Sequence, residues 1–175
     1  MKTEKIPMLV GIVIIILLAF LIIWKADIFG VSESRLEQDA REKQKIDSTW
    51  DVAQAVNEDI GAMLFYDEDK KECNYSIYLS RSGVSYGYFY AQGGQDDSMA
   101  NGVKGIAFEE KGIVLLSLNG DKVCKVVIEE QSDQKVIQVD PEKPFVLVVP
   151  VDCNEITMYD AQDQIVTLYD TDKEQ

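Results

Sequence analysis

The chain opens on an unbroken apolar block and then changes period twice. From Ile6 to Trp24 no side chain is charged, about 19 residues that span roughly 28 Å as a helix, enough to cross a hydrocarbon core. A buried helix of a soluble domain would show a polar stripe at the 3.6 period, and this block has none. It predicts a transmembrane anchor over residues 6–25, behind a short tail over residues 1–5. Trp24 and Lys25 suit the far interface, and Lys2 and Lys5 the near one. The segment before Ala26 lacks the small-x-small pattern of signal-peptide cleavage, so the span is expected to stay uncleaved.

Residues 26–47 are polar and read as a helical stalk or linker. Ser34 and Glu37 form a capping-box pattern, and Glu37 with Arg41 and Asp39 with Lys43 fall at the i,i+4 spacing. Only Leu36, Ala40 and Ile46 are apolar there, too thin a stripe for deep burial. A second helix signal opens the next domain, residues 48–175. Ser48 and Asp51 cap a segment in which Val52, Ala53, Val56 and Ile60 share a helical face, with Gly61 at the stop.

Beyond Gly61 the period becomes 2. β-Branched and aromatic runs alternate with turn clusters, predicting about ten strands: 62–66, 74–81, 84–91, 103–108, 112–118, 122–129, 135–139, 145–149, 155–159 and 165–169. Asn119-Gly120 and Ser82-Gly83 are hairpin signals, and Pro141, Pro144 and Pro150 bracket strand ends. The stretch from Gln92 to Gly102 reads as an exposed loop. The fold class expected is therefore mainly β, an antiparallel β-sandwich-like domain behind a transmembrane helix and a short helical stalk.

Composition narrows the function. The chain carries 17 basic and 31 acidic residues, a net charge of −14; leaving out Lys2, Lys5, Lys25 and Glu4, residues 26–175 hold 14 basic against 30 acidic groups, a net −16. Such a domain is repelled by nucleic acid, anionic lipid headgroups and polyphosphate-bearing polymers. Histidine is absent, which removes the commonest general base and metal ligand. No cofactor motif is present. Five cations follow the apolar block within about 20 residues, but only Lys25 is close to it. Long domains cross largely regardless of charge, so the expected placement is the cell membrane, with the C-terminal domain extracytoplasmic.

Candidate chemistry is sparse. Tyr86, Tyr88 and Tyr90 share one face of a strand whose hairpin partner carries Tyr75 and Tyr78; such a row could stack on a sugar or anchor a protein. The bland alternative is the inner wall of a sandwich. Asp67, Asp69, Asp160 and Asp163 are calcium candidates, although aspartate in hairpin turns is expected for backbone reasons alone. Of three cysteines, Cys124 alternates with Val126 and Ile128 on a buried face, which leaves Cys73 and Cys153 as the expected disulfide. Ser98-Met99 behind an anchor resembles type I signal peptidases in those two residues alone. No Pro follows them and the nearest lysine is Lys104, so no catalytic role is assigned. The reading is a non-enzymatic module, anchored in the lipid bilayer, that binds a protein or envelope component; a glycan or calcium binder is the alternative.

Overall fold

Two runs, IGAMLFY and GIVLLS, are too continuously apolar for sheets with one wet face. The computed structural model, which describes residues 10–18, 28–83, 85–100, 102–130 and 133–169, buries both faces of each. Helix α1 covers 10–18. A 3-10 turn Glu33–Arg35 leads into α2 (Leu36–Gln44). The first sheet is the meander β1 (Asp51–Val56), β2 (Ile60–Tyr66), β3 (Cys73–Ser80) and β4 (Tyr88–Gln95). The second, in the order β12-β5-β6-β9, contains β5 (Val103–Phe108), β6 (Gly112–Ser117), β9 (Phe145–Val149) and β12 (Leu168–Tyr169). The third, in the order β11-β10-β7-β8, contains β7 (Val123–Glu130), β8 (Asp133–Gln138), β10 (Cys153–Asp160) and β11 (Ile165–Val166). The named pairs are antiparallel except β12 with β5.

Alternation along the strands creates a layered core. Ile60, Ala62 and Leu64 of β2 meet Val114 and Leu116 of β6 and Val146 of β9 between the first two sheets. Leu115, Phe145 and Val149 point the other way, onto Val126, Ile128 and Met158 of the third sheet. On the outer side of the first sheet Met63, Phe65 and Tyr78 receive Leu36 and Ala40 of α2. The order is thus helix, sheet, sheet, sheet, with an apolar seam at each junction.

Several expectations are corrected. The helix expected from residue 48 is a β-hairpin instead, with Val52 opposite Phe65 and Val56 opposite Gly61. Val52 and Val56 face the α2 seam while Ala53 and Ala55 face the inter-sheet core, so the apolar residues serve period 2. The Asn57 side chain accepts the Asp59 and Ile60 amides and closes the hairpin where a helix would have continued.

The α2 helix exists but is no spacer: Leu36 and Ala40 are fully buried on the sheet. Its N-cap is Arg35, with no side-chain cap, so the Ser34–Glu37 box is not formed. Arg41 holds the helix's far side, pairing with Glu37 at 2.8 Å, donating to the Asp47 and Trp50 carbonyls and lying 4.8 Å over the Phe65 ring. The expected loop 92–102 extends β4 to Gln95 and then turns Met99 into the first core, fully buried.

Among the described residues no helix is long and apolar enough to cross a membrane. The expected span is helical over 10–18, and the remainder of residues 6–25 lies outside the described residues.

Candidate functional site

The chain enters the domain at one edge of the first sheet. Residues 28–31 lie against 86–88, with Gly30 N–H donating to the Tyr86 carbonyl at 2.7 Å and Val31 N–H to Tyr88 at 2.8 Å. Tyr86 N–H returns to the Ile28 carbonyl and Tyr88 N–H to Val31. Two glycines permit this approach. A Cβ at Gly30 would stand 2.5 Å from the Tyr88 carbonyl oxygen, and one at Gly87 would stand 2.6 Å from that of Val31. Gly87 also has φ 85°, a left-handed value that favours glycine.

This short addition brings Phe29 onto Tyr86. Their rings stack with centroids 6.0 Å apart and planes 19° from parallel, yet Phe29 is 67 % and Tyr86 64 % exposed. Next to the pair a cleft of about 330 Å³ runs between the added segment and the sheet, lined by Lys43, Arg81, Phe89 and Tyr90 among others. The Arg81 guanidinium lies 3.7 Å over the Phe89 ring. Lys43 pairs with Asp39 at 2.5 Å and stands about 6 Å over the Tyr78 and Tyr90 rings.

The tyrosines singled out from sequence have different fates. Tyr78 is fully buried, its hydroxyl donating to Asp39 at 2.6 Å. Burial and that bond push the phenol far above its usual range. Asp39 is raised by burial, but the bonds from Lys43 and Tyr78 outweigh this and hold its carboxyl low. Tyr88 is half-buried and donates to the Asn57 carbonyl at 2.6 Å. Tyr90 meets Tyr78 edge-on at 5.5 Å and keeps an exposed side, and Tyr86 is open. A bulge sets the face: Ile77 pairs with Gln92 but Tyr78 with Tyr90, so Ala91 has no partner across the strand and Tyr90 stands on the outer face with Tyr78. Of the four, Tyr86 and Tyr90 offer surface, and Phe29 is the aromatic that strand periodicity had not flagged. Its signal was the alternation Ile28-Phe29-Gly30-Val31 just beyond the apolar block.

The aspartate candidates serve turns. Asp67 accepts the Lys71 and Glu72 amides, and Asp160 those of Gln162 and Gln164. Asp69 pairs with Lys71 and Asp163 with Lys125. Among the described residues no group of three or more Asp, Glu or Cys side chains is placed to hold a metal ion.

Cys124 and Cys153 are unbridged thiols, so the expected Cys73–Cys153 disulfide is not formed. Cys73 lies in the core between the first two sheets and its thiol donates to the Asp96 carbonyl, while Cys153 packs against the core of the third.

Two serine–lysine pairs meet on carboxylates. Ser98 donates to Asp96 at 2.6 Å, and Lys104 pairs with the other oxygen of the same carboxylate. Ser80 donates to Asp59 at 2.8 Å, with Lys111 3.0 Å from its hydroxyl and 3.2 Å from Asp59. In both, the serine hydroxyl donates to the acid and the lysine nitrogen lies against the same carboxylate.

No family model, curated protein or solved structure matches the chain. The class defined by fold and site is thus a layered, mainly β domain with an exposed aromatic patch at its chain entry.

Proposed function

We propose that the chain is a membrane-tethered, non-enzymatic binding module that engages an envelope component through the patch of Phe29, Tyr86 and Tyr90. The observation that carries this reading is the stacked Phe29–Tyr86 pair, two large rings left in water on an ordered edge where four backbone hydrogen bonds fix them. Exposed aromatics of this kind are costly unless something covers them. Tethering draws on the charge-free block from Ile6 to Trp24, and an extracytoplasmic domain on the balance of flanking lysines. The tests are alkaline carbonate extraction of membranes and photo-cross-linking from a reactive residue at position 90. The chain should stay in the pellet, and position 90 should give a discrete adduct that Phe29→Ser with Tyr86→Ser abolishes. A chain released by carbonate, or no adduct, overturns the reading.

A glycan-binding reading rests on the adjoining cleft, whose lining includes the half-open Tyr90 ring. A thermal midpoint that rises with added ligand would favour it.

A further inference from the structure

The apolar block ends at Trp24, and by Ile28 the backbone already belongs to the first sheet, since the Ile28 carbonyl accepts Tyr86 N–H at 2.9 Å. Four residue steps separate the two positions, at most about 14 Å of fully extended chain. A headgroup layer is itself about 5–8 Å thick. Whatever path residues 25–27 take, they cannot carry Phe29 far from the lipid that holds the block. The α2 helix cannot lift it either, because α2 follows the pinned segment and is buried on the sheet through Leu36 and Ala40.

We propose that Phe29 and Tyr86 rest in the headgroup layer of the same bilayer, so that the domain lies flush on the lipid surface with the edge of β4 downward. This rests on the tethering reading above and names the envelope component its patch engages. Phenyl and phenol rings are the side chains that settle at this depth, with an apolar body against acyl chains and, in Tyr86, a hydroxyl in the polar layer. Lys43 and Arg81 border the cleft beside the pair, and Lys25 precedes it by four residues. The chain's net charge of −14 opposes an anionic surface, so the short tether and the aromatic pair carry the placement.

The test uses the full chain in phosphatidylcholine vesicles with two photo-activatable lipids in separate arms, one reactive at the acyl end and one at the headgroup. Peptide mass spectrometry maps the adducts. The acyl-end probe should label the apolar block, and the headgroup probe should label residues 28–31 and 85–90 while sparing β8. Headgroup adducts on β8 instead of the patch, or none on the domain, overturn the flush placement and leave the anchor standing. An apolar block untouched by the acyl-end probe removes both. With Phe29→Ser and Tyr86→Ser together, the headgroup adducts over 85–90 should be lost at an unchanged thermal midpoint; adducts that persist also overturn the proposal.

Discussion

The Tyr78 hydroxyl donates a 2.6 Å hydrogen bond to the Asp39 carboxylate, joining the middle of β3 to α2 across the outer seam of the first sheet. The ring is fully buried and Asp39 also holds Lys43, so a neutral donor and a cation converge on one acid. Tyr78→Phe keeps the packing and removes the bond, and should cost about 1–2 kcal/mol of stability. Tyr78→Ala also opens a void and should cost about 3–5 kcal/mol. Urea unfolding midpoints separate the two.

Docking of α2 through Leu36 and Ala40 makes the helix part of the domain. Leu36→Ala should cost about 2–3 kcal/mol. Amide exchange should accelerate first in α2 and β2 while β7 and β10 keep their protection, because the third sheet shares no seam with the helix. Unchanged stability would mean the helix stands free of the sheet.

Met99 lies in a segment whose composition is that of a loop, GGQDDSMANG, yet it is fully buried among residues of the first core. Met99→Ala should lower stability by about 2–4 kcal/mol. Thermal unfolding of that variant beside Met99→Leu, expected to stay near the parent, tests the burial.

Asn119 occupies φ 61° and is almost fully buried. Its amide donates to the Val123 and Asp140 carbonyls and its oxygen accepts Val123 N–H. Asn119→Gly satisfies the backbone but strands those groups, and should still cost about 1–3 kcal/mol. A denaturation midpoint equal to the parent's would show that conformation alone selects asparagine here.

Acid should weaken the fold through Asp96. Burial raises its carboxyl, but the bond from Lys104 and two from Ser98 outweigh that and set it below the ordinary value of 3.8. A depressed folded-state value contributes stability that is fully present above the unfolded-state value and is lost as pH falls from there through the folded one. Midpoints should therefore hold from neutrality to about pH 4 and drop below it. Asp96→Asn should start lower and drop less steeply over the same acid range.

Legibility of the fold tracked how many structures a pattern can serve. Val103–Phe108 and Phe145–Val149 match their expected bounds, and the second, FVLVV between Pro144 and Pro150, leaves no room for a helix. Val52, Ala53, Val56 and Ile60 fit a helix face as well as two faces of a strand, and only pairing with β2 settles the matter. The aromatic patch was half legible. Tyr86 and Tyr90 stood out, whereas Phe29 becomes part of it through contacts with residues 57 positions downstream.

Determined by the sequence alone are the mainly β class, the charge-free N-terminal block and the acidity, all of which rest on composition and period. Tertiary structure decided which tyrosines are wall and which are surface, and that α2 is a layer rather than a stalk. The physical reason is common to both. A side chain's face depends on register and on what packs against it, and one unpaired residue at Ala91 or one helix laid on a sheet exchanges burial for exposure with no change in local pattern.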